Sequence, residues 1–225
     1  MCGRFTITLS KEDFIKYLSK YKQLEIKIDD IELPNYNVAP TDHVVAMIKH
    51  KGNYRVGPLK WGYIPIYAKD SKNMLINARS ESILEKSAFK TNLKQRRCVI
   101  FADSFYEWKN INGKKVPFRI LLKDEKPFAF AGIWSHYQKD DQSIYSTAII
   151  TTQANDMMQE IHDRMPIILD EKGVEQWLTE PFDEQRHMSV LKSYPSDHMK
   201  YYQVTSYVNN VSHKDKVCID KIKST

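Results

Sequence analysis

The sequence predicts an α+β fold, a mainly β mixed sheet with short helices at its periphery, and three observations predict it. Five short runs rich in β-branched and aromatic residues are separated by turn chemistry. Four segments carry apolar residues at helical spacing. The seven glycines stand singly as turns, with no cluster of the kind that cradles phosphate.

Taken in order, Ser10 followed by Asp13, with Phe14, Leu18 and Tyr21 at helical spacing, predicts a capped amphipathic helix. Strands are predicted at residues 44–49 and 96–101. Asn112-Gly113 then predicts a hairpin into a strand at 116–122, because a type I′ turn needs positive φ at both central positions. Strands at 128–134 and 145–151 follow, and helices are expected at 153–161, 171–178 and 183–191.

With 225 residues and 42% apolar content, the chain is long enough for one substantial core, so a single domain over residues 1–225 is expected. The formal charge of +6 and pI near 9.0 favour approach to a polyanion. Cys2, Cys98 and Cys218 are far apart and odd in number, which leaves no disulfide framework or metal clip and predicts a reducing, cytoplasmic setting. No apolar run approaches the roughly 18 to 20 residues that span a bilayer, so no membrane partner is expected. His43, His50, His136, His187, His198 and His213 form no ligand spacing; they are expected to be structural, with no metal and no cofactor.

Cys2 carries the most pointed chemistry. Removal of Met1 would leave an α-amine and a thiol on one residue, a 1,2-aminothiol. An α-amine has a reference pKa of about 7.7 to 8.0, so near neutral pH a useful fraction is nucleophilic and condenses with an aldehyde. The thiol can then close a five-membered thiazolidine. Read one at a time, the residues around this chemistry are ambiguous: Cys2 could be incidental, Glu107 a solvent-facing strand residue, His162 a core histidine held by Asp163, and Asn77 a turn residue.

Eight segments in order decide more than any one residue: MCGRF at the start, YNVAP at 36–40, WGYIP at 61–65, INARSE at 76–81, RRCVIFADSFYEW at 96–108, AGIW at 131–134, IITTQAN at 149–155 and IHDRMP at 161–166. Together they resemble the motifs of the SOS response-associated peptidase (SRAP) family, with the last 30 residues matching least well. The resemblance implies a barrel-like α+β fold, removal of the initiator methionine, and shielding of abasic sites in single-stranded DNA through a covalent crosslink. It also implies a bacterial or phage protein of the cytoplasm, drawn to the nucleoid on damage, and a monomer.

Carried over by that resemblance, Cys2 is the crosslinking nucleophile and Asn77 hydrogen-bonds the N-terminal residue or the adduct. Glu107 is the general acid/base that opens the closed sugar, and His162 assists a second proton transfer. Arg4, Arg79 and Arg164 are expected on phosphate, with ion pairing to Glu81 or Asp163 as the competing use of the arginines. Trp108 and Tyr67 are expected to offer stacking faces and Pro40 a wedge, although the family often carries tryptophan where Tyr67 stands. Lys86, Lys90 and Lys94 add basic charge without an individual assignment. Two other readings compete: an N-terminal-nucleophile peptidase or amidohydrolase, and a noncovalent single-strand DNA-binding module with salt-controlled affinity.

Overall fold

A computed structural model of the protein describes residues 2–139 and 141–222. Met1, and with it the expected processing of the N-terminus, lies outside the described residues. In chain order the first half holds β1 (Phe5–Ile7), α1 (Lys11–Leu18), β2 (Leu24–Ile26), β3 (Asn35–Val38), β4 (His43–His50), β5 (Asn53–Trp61), β6 (Asn77–Arg79) and α2 (Ser87–Gln95). The second half holds β7 (Arg97–Ala102), β8 (Ser104–Ile111), β9 (Lys114–Leu122), β10 (Phe128–Lys139), β11 (Gln142–Gln153), α3 (Asp156–Gln159), β12 (Arg164–Pro166), β13 (Ile168–Leu169), α4 (Glu171–Leu178), α5 (Glu184–Met188) and β14 (Met199–Gln203).

The strands form two sheets, and the expected α+β class with a barrel-like core is what they build. In the larger sheet, β11, β10, β7, β4 and β5 pair in sequence, and a parallel pairing of β5 with β11 closes them into a ring. Closure removes the edges that an open sheet would expose. The second sheet runs β14-β9-β8-β1-β3. Phe5 joins the two, its ring 5.2 Å from Trp61 and 5.7 Å from Phe130.

Local chemistry sets several elements as the sequence predicts. Ser10 caps α1 by accepting the Asp13 N–H, and Phe14 and Leu18 are buried, with Phe14 edge-on to Phe101 at 5.4 Å. Asn112 and Gly113 have φ of 50° and 79°, and Ile111 pairs with Lys114 across the turn. β4, β7, β9, β10, β11 and α4 cover the predicted segments.

Two predicted helices are shorter than the sequence pattern indicates. Thr151, Thr152 and Gln153 stay in β11 because they pair with Pro166, Met165 and Arg164, and β-branched threonines suit that pairing. The helix begins only after Asn155, which caps it by accepting the Met158 N–H. The segment expected at 183–191 is helical over Glu184–Met188, with Asp183 as its cap. Among the described residues no group of three or more His, Cys, Asp or Glu is placed to hold a metal, and no helix is long and apolar enough to cross a membrane. His187 is fully buried and hydrogen-bonds the backbone of Asp183 and Thr179.

Candidate functional site

The N-terminal half of the site is built by β1 against β8. Phe5 pairs with Phe105 and the Tyr106 N–H donates to Arg4 O at 2.9 Å, which lays Cys2 alongside the Glu107 region. Cys2 is fully buried. Burial first, and the nearby Glu107 charge second, push its thiol well above the usual range, so near neutral pH it is held as a thiol. Glu107 is only 3% exposed rather than solvent-facing. Glu107 shares one face of β8 with Phe105, and Tyr106 and Trp108 on the other face are covered by the C-terminal segment, so this stretch of the strand is buried on both sides.

On that other face the C-terminal segment after β14 forms a strap. Arg4 Nη1 donates to Asn37 Oδ1 at 2.7 Å and to Val208 O at 2.8 Å. The fully buried Asn37 amide in turn donates to the carbonyls of Val208, Asn210 and His213. Trp108 is half-buried, with its indole Nε1–H on Asn209 Oδ1 at 2.8 Å and the Arg4 guanidinium 5.6 Å from its ring centre.

The other half of the site flanks β11. β6 pairs with β11 in parallel, Asn77 beside Ile149 and Arg79 beside Thr151, while β12 pairs on the opposite edge, Pro166 facing Thr151. Arg79 and Pro166 thereby flank Thr151 from its two sides, and Glu81, just after β6, reaches Arg164 of β12. Both polar atoms of the Asn77 amide are buried and make no hydrogen bond among the described residues. A buried amide in that condition costs about 1–3 kcal/mol per group and calls for a ligand or a function.

His162 Nδ1 lies 3.0 Å from the Arg164 N–H and 2.8 Å from Asp163 Oδ1. One nitrogen cannot accept the first bond and donate the second at once. The backbone bond suits a ring with its proton on Nε2 alone, and the Asp163 contact suits one with a proton on Nδ1.

A ring and a hydrogen bond connect the halves: Phe5 packs on Trp61, and Trp61 Nε1 donates to Ile76 O at 3.0 Å, next to Asn77. Pro40 lies beside the same tryptophan, since the Thr41 N–H donates to Trp61 O at 2.7 Å. Tyr67 is 61% exposed with its hydroxyl 3.3 Å from Ser87 Oγ at the start of α2. Lys86, Lys90 and Lys94 are exposed at four-residue spacing, opposite the buried Phe89 and Leu93.

The three arginines differ in how far they are committed. Arg79 is exposed. Arg164 makes the competing ion pair, a two-pronged contact with Glu81 at 2.7 and 2.9 Å, and also donates to Thr151 O at 2.8 Å. Arg4 spends its Nη1 on Asn37 and Val208. Both are buried, so their forks serve the framework in this state. Asn37 and Asn209 were not singled out in the sequence. The signal for Asn37 was its place inside the YNVAP segment; nothing local pointed to Asn209.

A family model described as SOS response associated peptidase matches residues 1–211. The chain belongs to that family. Among curated SRAP relatives, the abasic site processing protein YoaM of Bacillus subtilis is 41% identical over 232 residues, covering 98% of each chain. The abasic site processing protein YoqW of the same organism is 39% identical over 226 residues, covering 98% of this chain and 99% of its own. A crystal structure of a protein from Bacteroides thetaiotaomicron superimposes with a TM-score of 0.88 at 23% identity, covering 99% of this chain and all of that one, so the two share a fold.

Proposed function

We propose that this SRAP protein processes abasic sites in single-stranded DNA, capturing the ring-opened sugar as a thiazolidine on Cys2 after Met1 is removed. The observation that carries the reading is the Asn77 amide, buried with Nδ2 and Oδ1 both lacking partners among the described residues. It offers a donor and an acceptor at once, which suits an amine and a sugar hydroxyl. The relatives' names support the lesion class.

In the proposed sequence, the Cys2 α-amine adds to the C1′ aldehyde to give a carbinolamine, and loss of water gives an imine. The Cys2 sulfur then adds to the imine carbon while the thiol proton passes to nitrogen. One aldehyde and one aminothiol become one thiazolidine and one water. Ring closure needs the imine carbon to exist first, so the amine is the first nucleophile and the thiol acts second, giving up its proton as it closes the ring. Glu107 and His162 move the protons at the ring oxygen and the carbinolamine. Arg79, exposed beside Asn77, meets phosphate, and Trp108 gives a stacking face.

The test is a denaturing gel and intact mass of the protein with a single-stranded oligonucleotide carrying one abasic site. A heat- and detergent-resistant adduct is expected with the free Cys2 N-terminus, formed without borohydride, absent in Cys2→Ala and slowed in Asn77→Ala. No adduct from protein whose Met1 has been removed refutes the reading. Turnover of an amide substrate in its place would favour peptidase chemistry.

A further inference from the structure

We infer that the groove at Tyr145, on the rim of the barrel, is a second nucleotide-binding subsite, taking a base on the Tyr145 ring and its phosphate on Arg55 and Lys27. The groove is a cavity of about 330 Å³ floored by Ala46, Ile48, Gly57 and Leu59, at the small end of the range for ligand pockets. Its depth has a simple origin. Ala46 faces Gly57 across β4 and β5, a pair with almost no side chain, flanked by Ile48 against Arg55 and Val44 against Leu59. Alternation puts Tyr145 on the same face, two residues before Thr147, just as Leu59 is two before Trp61 in the β5–β11 register.

Tyr145 is built as a platform. It is 50% exposed, yet one face of its ring is stacked on His136 with centroids 4.1 Å apart and planes within 4°. His136 is in turn held by Ser143 at 2.9 Å, Trp134 supports the tyrosine at 6.2 Å, and Arg96 lies over Trp134 at 5.5 Å. A ring fixed on one side costs little further ordering when a flat ligand covers the other.

The rim supplies the charge. Glu25 lies 2.8 Å from Lys27 Nζ and 3.3 Å from Arg55 Nε, and all three side chains are well exposed. Two cations share one carboxylate, so the trio keeps a net positive charge and its exposed pairs exchange readily for phosphate.

An extended peptide is disfavoured here. The Val56 carbonyl is taken by the Lys27 N–H and Lys60 is paired with Ser146, so Pro58 is the residue between them facing the open edge. Proline has no N–H to offer a docking strand.

Tyr145 is four residues before Ile149, the partner of Asn77, or about 13 Å along the strand. That is roughly four stacked nucleotide spacings of about 3.4 Å. A strand in the proposed lesion site could therefore reach the groove. That source rests on the proposed function, whereas a free nucleotide would not.

The experiment titrates dAMP, and separately an undamaged 12-residue oligo(dA), into the full chain by calorimetry. Tyr145→Ala is expected to weaken binding about tenfold, and Tyr145→Phe to keep it. Arg55→Ser should weaken binding and lower the salt dependence by about one ion, and Glu25→Gln should tighten it. Losses with both ligands assign a nucleotide site open to free nucleotides; losses with the oligomer alone assign a strand subsite. Equal binding by Tyr145→Ala, or no binding of either ligand to the unaltered protein, overturns the inference. Neither ligand involves Cys2, so the result stands apart from crosslinking.

Discussion

Replacing Glu81 by glutamine separates the structural work of Arg164 from any contact with DNA. The Arg164 side chain is 11% exposed and meets both Glu81 oxygens, at 2.7 and 2.9 Å, while Glu81 itself is 44% exposed. A charge-assisted contact of this kind is worth about 1.5–3 kcal/mol when shielded. The open side of Glu81 screens it, which brings the expected loss to about 1–2 kcal/mol. For a chain of this size that is a fall in Tm of about 2–8 °C.

The pH dependence fixes the cause. The Arg164 hydrogen bond first, and its charge as well, hold Glu81 below the usual carboxylate range. A carboxylate depressed in the folded state stabilises fully above its unfolded pKa of about 4.3 and loses that contribution as pH falls through the folded value. Thermal unfolding of the wild type and Glu81→Gln should therefore differ most at pH 7 and converge below about pH 4. Equal Tm values at pH 7, or a gap that persists in acid, would refute the argument. If Arg164 is also a latent phosphate ligand, the variant should bind single-stranded DNA more tightly.

Two further outcomes follow from the same structure. A Cβ added at Gly132 would stand 2.3 Å from Ile100 Cδ1, 3.0 Å from Cys98 Sγ and 3.1 Å from Ala148 O, so Gly132→Ala should cost about 1–3 kcal/mol by thermal melt. Pairing it with Ile100→Val, which deletes the clashing methyl, should recover part of the loss, and simple additivity would count against the clash. Asn209→Ala should leave the unfolding free energy within about 1 kcal/mol of wild type because water can replace the lost acceptor. In fluorotryptophan-labelled protein the Trp108 resonance should shift while those of Trp61, Trp134 and Trp177 stay; an unmoved Trp108 signal would show that the strap does not set the ring.

Much of the fold was legible where the determinant is local. Ser10 and Asp13 cap a helix within one turn, and Asn112-Gly113 forces a hairpin by its own backbone preference. β1, β6, β12 and β13 were not legible, because strands of two or three residues are too short to show a period. Nor was the ring closure: Ser146 beside Lys60 and Thr147 beside Trp61 are pairings across most of a hundred residues, with no local cue. At the candidate site, the order of motifs singled out Cys2, Asn77, Glu107 and His162, and it is their burial that composition could not give. Glu107 looked like a surface residue because nothing local shows that both faces of β8 are covered, one by the main core around Phe105 and the other by the segment after β14. The same holds for Arg164, whose commitment to Glu81 depends on β12 and β6 flanking one strand.

The bond from Arg4 to Val208 O spans 204 positions. Arg4, two places after Cys2, is therefore held by a residue far along the chain. Until the strap docks, Arg4 and Trp108 lack the contacts that Val208 and Asn209 give them, while Asn37 and the backbone of β8 already hold the start of the chain. Contacts of such separation form late because the loop they close is long. The surroundings of the N-terminal segment are therefore finished only when residues 208–213 dock, which makes the strap the late-closing part of the candidate site.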